Sequence, residues 1–396
     1  MIPRSYYFDH TLLTDMKIKK INTYLLKPKL IFLEVQTDEG ISGWGELIAG
    51  ARAQTVNQAA HEIGDRIIGL DPMKIEDIWQ SLYHVFFRGG AVHMTVVSGI
   101  ETALWDIKGK FLGAPVYQLL GGAAREKIMI YSWIEGDCSA NIAKAALNRK
   151  AQGFKAVKIL ATEEMHYIDS FKKVQFVLER VQAIRDAVGY DMEIGIDFHG
   201  RVHQAMAKIL ARELETFHPM FIEEPLPPEN LDGLKELRNI TTIPIALGER
   251  LFTRWAFTNV LSKRIVDIVQ PDVALTGGIL EMRKICAMAE AFDVAVAPHA
   301  PYGPVALAAT FQVDACSPNV FIQEQSQQMQ YYDGFNLLDY VKNKDIFNYK
   351  DGFAVIPDGE GLGIEIDKDV VVQNAQGKLD ARNPEWRNYD GTVTNW

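Results

Sequence analysis

Three acidic residues recur at a constant interval in the middle of this chain, and each directly follows an apolar run. Asp197, Glu223 and Glu249 stand 26 residues apart. A repeat of this length accommodates one β-strand, one helix and two short loops. If the runs are consecutive parallel strands of a barrel, their carboxyl ends share one rim, where the three acids converge. Because uncompensated like charges are costly at short range, such a cluster calls for a cation, and oxygen-only ligands favour Mg²⁺.

The same alternation of strand and helix extends over eight apolar segments. The predicted strands cover residues 128–133, 156–160, 193–197, 220–223, 243–249, 266–270, 294–298 and 320–323. Most of the intervening segments are compatible with helices, for example residues 279–291. Eight such units in series predict an α/β fold of the TIM-barrel type. A doubly wound sheet is the alternative, but it usually needs fewer units and a phosphate loop, and the sequence has no Walker motif.

The flanking regions follow a different pattern and predict a division into four parts. We interpret residues 1–15 as an N-terminal arm and residues 16–127 as an α+β domain with three strands followed by helices. The barrel then covers residues 128–344. Residues 345–396 return to short strands and loops, and we expect this C-terminal segment to pack on the first domain.

Bulk composition restricts the partners that this protein can have. The net charge of −10 argues against nucleic acid, because no strongly basic stripe is present. The three cysteines are too few for a disulfide framework and suit a reducing compartment. No apolar run reaches the roughly 18 residues of a membrane span, and no signal-peptide core precedes the domain. We therefore expect a cytoplasmic protein with a small-molecule ligand.

Two histidines extend the acidic cluster at the predicted rim. His199 follows Asp197 by two residues, and alternate residues of an extended chain point the same way. Asp272 follows the sixth predicted strand and His299 the seventh, so adjacent strand ends place the two within hydrogen-bond reach. A carboxylate on one imidazole nitrogen orients the ring and raises the basicity of the other.

Lys158 and Glu324 are predicted to end the second and eighth strands. Each of these residues also has a simpler interpretation. A single acid at a strand end is more often a helix cap or a surface salt bridge, and Lys158 could equally form a plain ion pair. The regular placement of polar residues at nearly every predicted strand end favours a functional site.

The motifs together resemble the mandelate racemase subgroup of the enolase superfamily, and within it the D-galactonate dehydratase family. The resemblance covers residues 16–396. The sequences that carry it include Asp197-Phe198-His199-Gly200-Arg201, Phe221-Ile222-Glu223-Glu224-Pro225, Gly248-Glu249-Arg250, Gln270-Pro271-Asp272 and Ala297-Pro298-His299. It implies a modified TIM barrel with an α+β capping domain, and an enzyme that removes the proton α to a carboxylate.

The resemblance also implies a role for each residue of the cluster. One Mg²⁺ per subunit would be bound by three residues: Asp197, Glu223 and Glu249. His299, oriented by Asp272, resembles the base at C2, and His199 resembles the acid that protonates the departing 3-hydroxyl. Glu324 would bind the substrate carboxylate, and Lys158 would add positive charge. The expected product is a 2-keto-3-deoxy sugar acid.

The sequence departs from the family pattern near the substrate. Leu160 stands where racemases of the subgroup carry a second lysine base, so elimination is favoured over epimerisation. In the capping domain, Leu25, Lys29 and Leu30 replace family residues, whereas Arg52 is kept and is a candidate substrate contact. Changes of this kind can switch the substrate within a class of hydroxylated acids.

Other functions remain as alternatives to dehydration of galactonate. A related enzyme could dehydrate another aldonate or aldarate, or act as an epimerase or racemase. A metal-independent glycosidase would use Glu223 and Glu249 as its two carboxyl groups. A non-catalytic protein would only bind the sugar acid. We expect no nucleic-acid or membrane partner, and we expect self-association into a homo-oligomer.

Overall fold

The computed structural model describes residues 15–162, 164–227, 229–327, 334–380 and 385–394. The predicted N-terminal arm falls, except for its last residue, outside the described part of the chain. The first domain begins with an antiparallel sheet of β1 (Ile18–Leu26), β2 (Leu30–Thr37) and β3 (Ser42–Ile48). Four α-helices follow: α1 (Ala53–Gly64), α2 (Ile75–Tyr83), α3 (Ala91–Leu112) and α4 (Val116–Leu119).

The long helix α3 lies directly against β3 because two glycines leave room for its backbone. A Cβ atom on Gly45 would stand 2.0 Å from the Gly99 carbonyl oxygen, and one on Gly43 would stand 2.0 Å from that of Ala103. Most of α3 is buried, including polar residues such as Glu101 and Asp106. The sheet and α3 thus form one continuous core.

The barrel contains eight parallel strands with helices between them. Its strands are β4 (Lys127–Trp133), β5 (Ala156–Leu160), β6 (Glu193–Asp197), β7 (Phe221–Glu223), β8 (Ile245–Leu247), β9 (Ile268–Val269), β10 (Ala295–Val296) and β11 (Gln323–Gln325). Its helices are α5 (Ser139–Ala151), α6 (Phe171–Val188), α7 (Gln204–Leu214), α8 (Leu231–Arg238), α9 (Thr253–Ser262), α10 (Val273–Thr276), α11 (Ile279–Ala291) and α12 (Pro304–Cys316). The predicted fold class is confirmed.

The sheet runs in the order β10-β9-β8-β7-β6-β5-β4-β11. An isolated parallel bridge between Val296 and Val320 joins its two ends, so the curled sheet closes into a barrel. The eighth strand is two to three residues later than predicted, because its polar sequence Gln323-Glu324-Gln325 resembles a loop. All three of these residues are buried and pair with β4.

The C-terminal segment contacts both domains. Strand β12 (Phe353–Val355) pairs antiparallel with β4, whereas α13 (Lys368–Asn374) contacts β1. Trp386 packs on Arg201 and directly precedes a short hairpin that is closed by the antiparallel bridge between Arg387 and Val393. The four-part division of the chain stays a prediction.

Buried carboxylates of the first domain bind the amino ends of two barrel helices. Glu101 accepts hydrogen bonds from the backbone nitrogens of Ile279 and Leu280 at the start of α11. Glu46 accepts them from Gly303 and Ala306 at the start of α12. Free N–H groups and the positive end of a helix dipole stabilise a carboxylate there. The first domain is therefore fixed over the carboxyl-terminal end of the barrel strands.

Replacement of Gly45 by alanine should lower the free energy of unfolding by about 3 kcal/mol, because the new methyl group meets the backbone of α3 rather than a movable side chain. The matched control is Gly377→Ala, where nothing lies within 4 Å of the added Cβ atom. Denaturant titrations followed by circular dichroism measure both variants. Equal stability of the two would contradict the packing described for β3 and α3.

Candidate functional site

The candidate site is the layer of side chains directly above the apolar interior of the barrel. The interior is filled by residues from alternating strand positions, namely Tyr131, Ala156, Phe221, Ala246, Ile268, Ala297 and Ile322. Since alternate residues of a strand share a face, the residues two positions later also point inward. In six of the seven strands concerned, this places polar residues in the mouth: Trp133, Lys158, Glu223, Gln270, His299 and Glu324.

Lys158 is fully buried at the centre of this layer. Its Nζ atom lies 2.6 Å from Glu223 Oε1, 2.9 Å from Glu324 Oε1 and 4.0 Å from Asp197 Oδ2. Lys158 was predicted from the sequence to end a strand, but it lies in the middle of β5. Burial alone would lower the pKa of Lys158, but the surrounding carboxylates, Glu223 first, outweigh it and raise that pKa well above the usual value. The lysine is therefore the charged centre of the cluster.

Glu223 is held on both of its carboxylate oxygens. Oε1 accepts from Lys158, and Oε2 accepts from the amide of Gln270 at 2.6 Å. Burial, followed by repulsion from Asp197, raises the pKa of Glu223 despite the lysine. The Cα atom of Glu223 is the register partner of Asp197 on the adjacent strand. The first two of the three predicted acids thus lie side by side.

Glu249 reaches the site through an irregular backbone. Because Ala246 faces the barrel interior, simple alternation would direct Glu249 away from it. Gly248 has φ 150°, a conformation that L residues rarely adopt, and a Cβ atom there would stand 2.8 Å from the Gln270 nitrogen. With this turn, Glu249 Oε2 lies 3.2 Å from His299 Nε2 and Oε1 lies 3.1 Å from Arg250 Nε.

The predicted pair of Asp272 and His299 is brought together. His299 Nδ1 and Asp272 Oδ2 are 2.8 Å apart in the interior, so the carboxylate fixes the ring. Burial alone would lower the pKa of His299, but the facing carboxylates, Glu249 first, raise it to about 10. Reciprocally, His299 is the main cause that lowers the pKa of Glu249 against the effect of burial.

His199 lies beside Asp197, but not through an extended strand. Strand β6 ends at Asp197, and His199 has a left-handed backbone with φ 54°. Its backbone nitrogen donates to Asp197 Oδ1 at 2.7 Å, and its Nδ1 lies 3.4 Å from Asp197 Oδ2. Arg250 donates to the carbonyl oxygen of His199 at 2.7 Å and stabilises this turn. The histidine therefore stays at the rim, partly exposed.

Glu324 lies inside β11 rather than at the end of a strand. Its Oε1 accepts from Lys158, and its Oε2 accepts from the Ala300 nitrogen at 2.8 Å and lies 4.0 Å from His299 Nε2. It therefore joins the lysine and the histidine. Arg52 lies apart from this cluster, exposed in the loop before α1, and within the described ranges its side chain forms no hydrogen bond or ion pair with the buried acids.

Sequence reasoning missed several members of the cluster. Glu224, which strand alternation would direct away from the mouth because it follows Glu223, is buried against the Gly248 nitrogen, and burial followed by repulsion from Glu249 raises its pKa to about 8. Its place in the sequence, directly after Glu223 and before Glu249, could have indicated that it belongs to the cluster. Gln270 and Trp133 were recognised only as parts of motifs or strands, since neither residue type by itself indicates a site.

The donor set fits a hard divalent cation in its chemistry. Asp197, Glu223 and Glu249 supply only carboxylate oxygens, and they are buried. Within the described ranges, no three His, Cys, Asp or Glu side chains are already gathered around one point as a metal would need. The reason is visible in the contacts: Lys158, Gln270 and His299 occupy the oxygens of Glu223 and Glu249. An ion would compete with these cationic and amide partners.

The family models place this chain among known proteins. Residues 17–121 match the N-terminal domain of mandelate racemase and muconate lactonizing enzyme, and residues 141–370 match the enolase C-terminal domain-like family. No helix in the described ranges combines the length and apolar character that crossing a bilayer requires.

Relatives and solved structures agree with these matches. D-galactonate dehydratases of Cronobacter sakazakii and Ralstonia pickettii are each 48% identical over 382 residues, covering 96% of this chain and 100% of the relative. A crystal structure of an enolase superfamily member from Salmonella Typhimurium has a TM-score of 0.83 and 30% identity, covering 91% of this chain and 98% of that one. A mandelate racemase/muconate lactonizing enzyme-like protein from Roseovarius sp. has a TM-score of 0.84 and 29% identity, covering 93% and 98%.

His299 should make stability depend on pH when no divalent ion is present. The pKa of His299 is about 10 in the folded protein, above the roughly 6.5 of an unfolded chain. The folded state therefore retains a proton that the unfolded state loses, so this contribution is complete below about pH 6.5 and is lost as the pH rises towards 10.

We expect the free energy of unfolding in the presence of a chelator to fall more steeply with rising pH for the wild type than for His299→Asn. Urea titrations between about pH 6.5 and about pH 9.5 measure the difference between the two proteins. Parallel pH profiles would show that the facing carboxylates do not raise the pKa of the His299 imidazole.

Proposed function

The chain belongs to the enolase superfamily, in the mandelate racemase and muconate lactonizing enzyme family, and we propose that it is a Mg²⁺-dependent dehydratase of D-galactonate or a closely similar sugar acid. The observation that carries this proposal is the coincidence of two facts. Relatives that match along the whole chain are D-galactonate dehydratases. In this chain, an acid cluster and an Asp–His pair occupy one barrel mouth. The reaction class is that of a hydro-lyase, which cleaves a carbon–oxygen bond.

Asp197, Glu223 and Glu249 would hold one Mg²⁺ per subunit. When bound, the ion supplies positive charge beside the substrate carboxylate, where negative charge develops as the α proton leaves. The charge distribution supports such an ion, because buried carboxylates repel one another around Lys158 and raise the pKa of Glu223. Positive charge near Glu249 would also lower the pKa of His299 towards the range in which its ring can accept a proton.

His299 is the proposed base. Nδ1 donates a hydrogen bond to Asp272, so Nε2, which faces the mouth, would carry the lone pair once positive charge near Glu249 has brought the ring to its neutral form. In that role Nε2 takes the proton from C2 of the sugar acid. The electron pair of the broken C–H bond moves towards the carboxylate and later expels the hydroxyl at C3.

His199 is the proposed acid. Its ring lies beside Asp197 at the rim, partly accessible, with Nδ1 3.4 Å from Asp197 Oδ2. It donates a proton to the departing 3-hydroxyl, which leaves as water. The resulting enol takes up a proton at C3 and gives the 2-keto-3-deoxy acid.

Glu324 and Lys158 are the proposed partners of the substrate carboxylate. Lys158 brings positive charge to the floor of the mouth, and Glu324 lies between it and His299. Arg52 stays a candidate for substrate contact from the first domain. The distal hydroxyls determine which sugar acid is preferred, because a site built for hydroxyls rejects analogues that lack them.

Leu160 favours elimination over epimerisation. It stands two residues after Lys158 on the inward face of β5, with Asp197 as its register partner. A leucine cannot exchange a proton with C2, whereas an epimerase needs a proton donor and an acceptor on opposite faces. A glycosidase is not favoured for two reasons. Glu223, one of its two carboxyl groups, is held at both oxygens by Lys158 and Gln270. A glycosidase mechanism would also give the Asp272–His299 pair no role.

Substitutions of the two histidines should affect different steps of the reaction. In D₂O with Mg²⁺ and D-galactonate, we expect His299→Asn to lose both exchange of the C2 proton and formation of keto acid, by about 10³-fold or more. We expect His199→Asn to lose keto acid formation while still exchanging the C2 proton. Proton NMR measures exchange, and semicarbazide measures the 2-keto acid.

Circular dichroism and thermal unfolding control for folding of both variants. Keto acid formed by His299→Asn at the wild-type rate would remove the base assignment. Loss of exchange in His199→Asn with an intact fold would show that His199 acts before, and not after, abstraction of the proton.

The metal requirement should be absolute for turnover. We expect a chelator to abolish keto acid formation and added Mg²⁺ to restore it, because the developing charge is otherwise unbalanced. Screening aldonates and aldarates that differ at one hydroxyl identifies the substrate. Full activity in a chelator, or release of a sugar from a glycoside, would instead support the glycosidase alternative.

A further inference from the structure

Trp133 ends β4 at the floor of the mouth, and it contacts two charged residues of the candidate site at once. Its register partner on the adjacent strand is Lys158, and the backbone of the next residue, Ile134, donates to the Lys158 carbonyl oxygen at 2.9 Å. Tyr131, two residues earlier, lies in the barrel interior, so the indole points into the mouth. The backbone therefore fixes the position of the indole relative to the lysine.

The indole N–H of Trp133 shares an acceptor with the lysine. Its Nε1 donates to Glu324 Oε1 at 2.5 Å, and Lys158 Nζ lies 2.9 Å from the same oxygen. The other oxygen, Oε2, accepts from the Ala300 nitrogen at 2.8 Å. Each oxygen of the glutamate thus has its own donors, and the carboxylate cannot turn without losing one of them.

The aromatic face of Trp133 lies against the ammonium group. Lys158 Nζ is 4.5 Å from the ring centroid. This distance is within the range of a cation–π interaction, which is stronger where water is excluded. One side chain therefore binds the cation through its face and the anion through its N–H, as few residue types can.

We propose that Trp133 is a positioning residue for the reaction: it fixes the Glu324 carboxylate and the Lys158 ammonium in the orientation that meets the negative charge developing on the substrate. This inference rests on the proposed function. Trp133 acts through Glu324 and Lys158, whose placement matters most in the transition state. Its loss should therefore lower kcat more than it changes KM.

Two substitutions at position 133 separate the two contacts. Trp133→Phe keeps an aromatic face for Lys158 and removes the N–H that holds Glu324, whereas Trp133→Leu removes both. Incorporation of β-(3-benzothienyl)alanine at position 133 is the sharpest variant, because sulfur replaces the N–H in a ring of nearly the same shape. The matched control is Trp255→Phe, which alters a half-exposed tryptophan that stacks on Tyr83 in another part of the molecule.

With Mg²⁺ and the sugar acid that the wild type dehydrates, we expect kcat to fall by about 10- to 100-fold in Trp133→Phe and in the benzothienyl variant. KM and the affinity for Mg²⁺ by calorimetry should stay within about threefold. Exchange of the C2 proton in D₂O should fall by the same factor as kcat, because the charge develops in that step. Trp133→Leu should lose more, and Trp255→Phe should match the wild type.

A wild-type kcat in the benzothienyl variant would overturn the proposal, and so would parallel losses of thermal stability, Mg²⁺ affinity and kcat, which indicate a merely structural residue. Crystal structures of the wild type and Trp133→Phe give a readout without turnover. We expect the Glu324 carboxylate to rotate in the variant, and an unchanged carboxylate would also overturn the proposal. If the wild type dehydrates no sugar acid, the proposed function fails, and the orientation of Glu324 still decides the role of Trp133.

Discussion

The site depends on one constraint: several carboxylates are buried around a single lysine in the mouth of a barrel. Lys158 contacts Glu223 and Glu324 and lies near Asp197, whereas Glu249 is held by His299 instead. Taking these charges out of water is costly unless each is paired. The pairing in turn sets the charge state of His299, whose pKa rises to about 10 because carboxylates face it. Metal affinity, proton transfer and substrate binding are thus consequences of the same balance of charges.

The repeated strand pattern of the barrel places these charged side chains, and contacts from the first domain and from Trp133 hold them there. Six strands of the barrel place an apolar residue in the interior and a side chain of the site two positions later, so the apolar interior and the site are successive layers of one structure. The first domain fixes the layer from above, because Glu46 binds the amino end of α12 directly after the His299 loop. Trp133 fixes it from within the barrel. A site with so many fixed partners leaves little reorganisation to the moment of reaction.

Much of this arrangement could be predicted from the sequence, because it follows from periodicity. The constant spacing of Asp197, Glu223 and Glu249 and the order of the strands indicated the barrel and its rim. The prediction was wrong about Lys158 and Glu324, which lie within strands, since a polar residue in a short buried strand resembles a strand end. Glu249 was correctly predicted to lie at the mouth, but the sequence did not show why. The unusual backbone conformation of Gly248, with φ 150°, turns Glu249 towards the mouth.

Other features could not be read from local patterns at all. The left-handed backbone of His199 depends on a hydrogen bond from Arg250, which is 51 residues away. The contact of Trp133 with Glu324 spans 191 residues. Such contacts arise from closure of the barrel, and a tryptophan at the end of a strand has no distinctive signal in the sequence.

Anomalous diffraction from crystals grown with Mn²⁺ in place of Mg²⁺ shows whether the three acids hold a divalent ion. We expect one anomalous peak per chain among the oxygens of Asp197, Glu223 and Glu249, with His299 released from Glu249, and no such peak in a Glu249→Gln crystal. Absence of the peak in excess Mn²⁺, or an equal peak after that substitution, would show that these carboxylates are not the metal site.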